Sequence, residues 1–320
     1  MKVTEAIDRA SADGAAPLIS YEIIPPKRGG SVADALAVVD ALAAFDPPFI
    51  DVTSHAAQAY YEELPDGTVK RLVRRKRPGT IGLCAAIKAR HGIEAVPHLL
   101  CAGFTREETE DALVELSYLG VENVMALRGD DVIEKPVPSD RSVNRCAADL
   151  VAQISDMNRG RYLEDLLDAR PTDFCVGVAG YPEKHFAAAN RARDIAELKR
   201  KVNAGAEYVV TQMFFDNAHY WTFVADCRAA GIEVPIIPGL KILTVAAHLT
   251  SLPRAFHIDL PEELADEISA SPQHAREIGI RWTIRQSEDL MSGGAPMLHY
   301  YIMQSAAAVS TVVEALRKMA

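Results

Sequence analysis

The chain has 320 residues, 49% of them hydrophobic and 24% charged, the balance of a soluble globular protein with ample core material. Its formal net charge of −10 excludes a nucleic-acid partner as the leading reading, because phosphate contacts need clustered Lys and Arg. Cys84, Cys101, Cys146, Cys175 and Cys227 are scattered without a CxxC pair, which fits neither a zinc spacing nor a secreted disulfide framework. With no signal-peptide stretch and no apolar run of about 18 residues, a cytoplasmic protein without membrane contact is expected.

In chain order, short β-branched runs alternate with helical stretches. Strands are expected over 18–24, 49–53, 94–101, 123–127, 173–179, 208–215, 234–238 and 297–303, each apolar and followed by polar or Gly-rich residues, as parallel strands buried on both faces are. Between them, 31–45 carries Val32, Leu36, Val39 and Leu42 at helical spacing. The stretch 105–119 opens TREE, where Thr105 and Glu108 can form a capping box. The stretches 194–204 and 218–230 are each followed by Gly, at Gly205 and Gly231, as helix C-termini often are. The basic run KRLVRRKRPG from Lys70 to Gly79, interrupted by Leu72 and Val73, reads as a solvated helical face.

Eight strand–helix units point to an α/β fold, a (β/α)8 TIM barrel forming a single domain over 1–320. An open doubly wound sheet is the alternative, since alternation alone does not show closure. Two stretches break the rhythm: 60–92 has room for an extra loop before its helix, and 243–292, between strands seven and eight, has room for two or three extra helices.

Barrel sites form at the C-terminal strand ends. There the first strand, LISYEIIPPK, carries Glu22 among Tyr21, Ile23 and Ile24. A carboxylate in such a strand needs a partner or a proton; an ion pair to a neighbouring strand is the plain alternative. The fourth strand exits through Arg128, Gly129 and Asp130, the fifth through Tyr181 and His185, and the sixth through Gln212, Phe214, Phe215 and Asp216. Gln212 is the most telling of these, because its amide must find donors and acceptors. His98 reads equally as a satisfied core group. There is no GxGxxG, Walker A loop, HExxH or GxSxG, so Rossmann, P-loop, zinc-protease and serine-hydrolase sites are unsupported and no metal is expected. Lys241, after PGL, is placed where a Schiff-base lysine of a barrel aldolase would stand.

In order, SYEIIPPK, DVTSH, EAVPHLLC, LRGD, GYPEKH, DIAELKRKVNAGAEYVVTQMFFD and IIPGLKIL resemble the catalytic domain of the methylenetetrahydrofolate reductase family, in its short bacterial form. The resemblance is specific from Leu18 to Pro238 and looser through LHYYIMQ. It implies FAD reduced by NADH or NADPH, and hydride transfer to 5,10-methylenetetrahydrofolate giving 5-methyltetrahydrofolate. By the same resemblance Glu22 is the general acid and Asp130 the acidic residue beside flavin and folate, with Gln212 and Phe214 on the substrate. Thr53, His98, Arg128, Gly129, Asp130, Ala147, Tyr181, His185, Asp194, Arg200 and Lys201 fall where the family contacts FAD. Ile23 and Ile24 stand where the family commonly has two phenylalanines. A proline dehydrogenase-like flavin barrel is the rival enzyme. A folate- or flavin-binding subunit drawing electrons from a partner is the non-catalytic alternative. An acidic chain of this kind is compatible with a homo-oligomer, whose interface one sequence does not reveal.

Overall fold

The computed structural model describes residues 1–12, 18–129, 141–303 and 305–318. In chain order the strands are β1 (Leu18–Ile23), β2 (Phe49–Val52), β3 (Gln58–Glu63), β4 (Val69–Arg74), β5 (Glu94–Leu100), β6 (Asn123–Leu127), β7 (Cys175–Gly180), β8 (Tyr208–Thr211), β9 (Ile236–Ile237), β10 (Gly239–Leu240) and β11 (Met297–Met303). The helices are α1 (Val3–Ala12), α2 (Val32–Ala43), α3 (Thr80–His91), α4 (Arg106–Tyr118), α5 (Ala147–Met157), α6 (Arg191–Ala204), α7 (Asn217–Ala229), α8 (His248–Phe256), α9 (Glu262–Ala270), α10 (Ala275–Ser292) and α11 (Ala307–Arg317).

Apart from the β3–β4 pair, the strands form one parallel sheet in the order β10-β11-β1-β2-β5-β6-β7-β8-β9. Its two end strands are halves of a single strand, separated only by Pro238. Ile236 and Ile237 pair with β8, while Gly239 and Leu240 pair with β11. The sheet therefore closes on itself as an eight-stranded barrel, and the open-sheet alternative falls. Pro238 has no N–H to give, but its carbonyl accepts from His299 N at 3.0 Å, and Gly239 N is taken up by Thr211 Oγ1 at 2.9 Å. A side chain at 239 would meet the Thr211 carbonyl at 2.1 Å and the Tyr301 ring at 2.6 Å, so only glycine allows this closure.

The alternation of strand side chains sorts the residues into two layers. Tyr21, Ile23, Ile50, Val52, Val124, Val176, Val178, Leu298 and Tyr300 face outward into the main core beneath the helices. Phe49, Val96, Met125, Tyr208, Ile237 and Met297 face inward and fill the lower barrel, where α1 closes the floor with Val3 and Ile7. Burying each such side chain contributes about 1.5–3 kcal/mol. This helix was not foreseen; it is held by Val3 N donating to Asn123 Oδ1 at 2.8 Å.

The capping box at Thr105 and Glu108 forms as expected, with both reciprocal bonds present. The stretch 243–292 holds α8, α9, a 3-10 turn at Pro272–His274 and α10. The basic run departs from expectation. Instead of a helical face it supplies β4, paired antiparallel with β3, and this hairpin is the addition within 60–92. Its base is tied to the rim: Arg28 N donates to Lys76 O at 2.8 Å and Arg77 Nη1 to Pro25 O at 2.6 Å.

Candidate active site

The same inward register that fills the floor with apolar groups places polar ones nearer the C-terminal rim. Ser20 and Glu22 on β1, Asp51 on β2, His98 on β5, and His299 and Tyr301 on β11 share the interior. Asp51 and His299 are buried at 1% and 0% exposure, and the Glu22 side chain keeps 14%. His98 Nε2 lies 3.3 Å from Asp51 Oδ2 and 3.6 Å from Glu22 Oε2. His299 Nε2 is 3.9 Å from the same Asp51 oxygen, and its Nδ1 is 2.9 Å from Ser20 Oγ. Lys241 Nζ, just beyond β10, donates to Tyr301 O at 2.7 Å.

Burial dominates the electrostatics of this cluster. It pushes the Glu22 carboxyl up to about 7; Asp51 adds to the rise, while His98 and Lys241 oppose it. Burial likewise drives Lys241 down to about 8 and His299 down to about 4, so His299 is neutral at pH 7. Burial also works against a charge on His98, but the hydrogen bond to Asp51 and the nearby Glu22 and Asp51 charges outweigh it and hold the imidazole above its ordinary range. Ligand atoms of Glu22, Asp51 and His299 lie within 4.8 Å of one another.

Beside the interior cluster, the rim from β6 to β8 opens into a groove of about 560 Å³, within the ~300–1,000 Å³ range of small-molecule sites. Arg128, Gly129, Ala147, Tyr181, His185, Asp194, Arg200, Lys201 and Gln212 all line it. These nine expected residues come from the ends of three strands and the first turns or faces of α5 and α6, so the topology assembles what the sequence scatters. Lys201 Nζ donates to Ala179 O at 2.6 Å, and burial brings its ammonium down to about 8 although Asp194 and Glu197 oppose the fall. The buried Asp194 carboxylate accepts from His185 N at 3.0 Å. Arg200 is half exposed and paired with Glu197 at 2.7 Å. Gly129 sits at φ +83, a conformation that lets bare backbone approach a ligand.

Three expected residues lie elsewhere. Thr53 directly follows β2, with its Oγ1 3.1 Å from His55 Nε2, and His98 belongs to the interior cluster; neither lines the groove. Phe214 is fully buried in the outer core, stacked on Tyr220 at 5.6 Å, because the strand alternation ends at Thr211 and the ring turns under the helices. Asp130 lies outside the described residues.

Sequence reading missed Asp51, Ser20, His299 and Tyr301 as site residues. The available signal was their inward register, two residues apart on otherwise apolar strands. It also missed Phe186 and His257, which extend Tyr181 and His185 into a run of rings along the groove wall. Successive centroids there are 4.5, 4.7 and 4.7 Å apart, a surface suited to flat aromatic ligands.

A closed parallel α/β barrel with a buried acid in its mouth and a cation-lined groove at its C-terminal rim defines an enzyme-type barrel with a ligand site of cofactor size. Residues 7–317 match the methylenetetrahydrofolate reductase family, and the chain belongs to that family. It is 31% identical over 301 residues to methylenetetrahydrofolate reductase 1 of Schizosaccharomyces pombe, covering 93% of this chain and 45% of that protein. It is 32% identical over 237 residues to the 5,10-methylenetetrahydrofolate reductase of Salmonella typhimurium, covering 74% of this chain and 68% of the other. The chain spans about half the length of the yeast and plant relatives it matches. Among solved structures, it shares its fold with an uncharacterized protein from Clostridium thermocellum that binds two copies of 5-methyl-5,6,7,8-tetrahydrofolic acid. The TM-score is 0.64 at 13% identity, and 98% of each chain is covered.

Proposed function

We propose that this protein reduces 5,10-methylenetetrahydrofolate to 5-methyltetrahydrofolate, with FAD held in the rim groove and NADH or NADPH as electron donor. The carrying observation is the pairing of a carboxyl that holds its proton near neutrality with an adjoining cationic groove of cofactor size. FAD, when bound, supplies the hydride chemistry that no side chain can perform.

The groove residues fit such a group. Arg128, Arg200 and Lys201 offer positive charge to a diphosphate, and Asp194 offers a carboxylate to a ribose hydroxyl. Gln212 leaves β8 beside Thr211, whose carbonyl accepts from Tyr301 Oη at 2.5 Å. Gln212 lines the groove with its Oε1 accepting from Met213 N at 2.9 Å, and its amide can serve donor and acceptor edges of a pterin. Glu22 gives its proton to the folate amine nitrogen as the imidazolidine ring opens. With its carboxyl at about 7 rather than the ordinary 4.5, about half of it is protonated at pH 7, against roughly 0.3% otherwise. Asp130, following Gly129 in sequence, is assigned to stabilising the iminium cation that forms.

The barrel itself is the catalytic unit on this proposal, and the cytoplasm, where folates and reduced nicotinamide nucleotides are dissolved, is its compartment. Among the described residues no helix is long and apolar enough to cross a membrane.

Anaerobic stopped-flow spectroscopy tests the proposal. The protein is expected to retain yellow FAD, to be bleached by NADH or NADPH, and to regain its colour on mixing with methylenetetrahydrofolate. A protein unable to hold FAD, or one whose reduced flavin ignores the folate, would overturn it.

A further inference from the structure

We propose that Asp51 and His98 act as positioning residues for Glu22, with Asp51 holding the single Nε2–H of His98 and so leaving Glu22 its own proton. This rests on the reading of Glu22 as the acid of folate reduction. The geometry that carries it is one imidazole nitrogen shared between two carboxylates, at 3.3 Å from Asp51 and 3.6 Å from Glu22. One N–H cannot serve both well. A hydrogen bond donated to a carboxylate favours its ionised form, so whichever carboxylate wins the N–H is the one driven to lose its proton.

Asp51 is built to win. It lies on a four-residue strand buried throughout, at 1% exposure, and its second oxygen, Oδ1, has no hydrogen-bond partner. The hydrogen-bonding demand of this carboxylate therefore falls on His98 Nε2. Glu22 keeps partial access to the mouth and is the longer, more adjustable side chain. With His98 turned to Asp51, Glu22 feels an added negative charge and no committed donor, and both conditions favour its protonated form.

The other groups facing Glu22 do not replace this pair. Lys241, from beyond β10, spends a donor on Tyr301 O. On β11, His299 is neutral at pH 7 and Tyr301 is held protonated by burial, with the Glu22 charge reinforcing it. His98 and Lys241 are thus the cationic neighbours of Glu22 and Asp51 its anionic one. An ordinary structural ion pair between β2 and β5 would not need its imidazole nitrogen within reach of a second, functional carboxylate.

The two residues push Glu22 in opposite directions, which gives the test its sign. The rate of folate-driven flavin reoxidation is followed against pH in single turnovers. Asp51→Asn is expected to move the midpoint of its alkaline fall downward by about one pH unit or more, the shift typical of a charge within ~4–6 Å. That makes the variant about tenfold slower above the wild-type midpoint. His98→Gln is expected to move the midpoint upward. Variants that slow the reaction equally at every pH, or that move it in the same direction, would overturn the proposal.

A second measurement does not depend on turnover or on Asp51→Asn folding. The protonated-carboxyl stretch of Glu22, isolated as the infrared difference between wild type and Glu22→Gln, is titrated in wild type and in His98→Gln. It is expected to persist to higher pH in His98→Gln. A band lost in wild type in the ordinary glutamate range, or unmoved by the substitution, would overturn the proposal. A protein that passes this titration but does not reoxidise with folate would instead defeat the reduction reading.

Discussion

Glu22, Asp51, His98 and His299 meet inside the barrel with little exposure, whereas Arg128 and Arg200 stand at the edge of the groove largely in solvent. In the interior, desolvation is the largest influence on every shifted group, and a proton shared among a few atoms decides the charge state. Along the outer groove, charges are screened by water and act additively and weakly on a large ligand. The two regions touch, yet substitutions in them should fail differently: interior changes should alter the state of one proton, and groove changes the occupancy of a cofactor.

The sharpest break is Glu22→Gln. It keeps shape and removes the acid, so folate-driven reoxidation should fall by about 10²–10⁴, the usual worth of general acid catalysis. Reduction of the flavin by NADH or NADPH should change little. Equal losses in both half-reactions, read by stopped-flow, would make Glu22 structural and erase the distinction between the regions.

Next in size is a stability effect of the same substitution. The native carboxyl titrates at about 7 and the unfolded one at about 4.5. Glu22 thus favours the native state fully below pH 4.5, relative to higher pH, and that contribution is lost as pH rises to 7. Glutamine has no such dependence. Glu22→Gln should therefore gain stability over wild type as pH rises, by roughly 2 kcal/mol at pH 8, after discounting for water at the mouth. Denaturant melts at pH 5 and 8 check this, and a constant difference between the two would place the group in solvent.

The smallest effects belong to the groove. Lys201→Met should weaken FAD binding by about tenfold at pH 7 and remove a fall in affinity expected as pH passes about 8, where its ammonium titrates. Arg200→Ala should cost only about threefold, because the guanidinium is half exposed and already paired with Glu197. Flavin fluorescence titrations at two salt concentrations separate the two. An Arg200 effect larger than that of Lys201 would mean the outer edge carries the binding.

Much of this division was legible beforehand. All eight barrel strands lie where short apolar runs announce them; strand exits alone pointed to Arg128, Gly129, Tyr181, His185 and Gln212, whereas Ala147, Asp194, Arg200 and Lys201 were named only through the family resemblance. The hairpin was misread because Leu72 and Val73 fit a helical stripe as well as a strand. The Pro65-Asp66-Gly67 turn signal, with Thr68 donating to Asp66 Oδ1 at 2.9 and 2.6 Å, was the clue that should have prevailed. Asp51 and His299 escaped for a different reason. Each looks like an isolated polar residue on its own strand, and their meeting depends on β11, β1, β2 and β5 being neighbours in a closed ring, which no local pattern encodes. Phe214 shows the reverse error, a residue correctly placed on its strand exit whose ring direction depends on packing beneath α7.

The seam at Pro238 has a consequence for how the barrel breathes. β1 pairs with β11 from Leu18 through Ile23, but here two residues hold one side and two hold the other. Amide hydrogen exchange should therefore be fastest, among the barrel strands, at Ile237, Gly239 and Leu240, with the opening propagating to Lys241 next to Glu22. Deuterium uptake resolved by peptide would show it. A barrel loosened there would expose the acid to bulk water from its side.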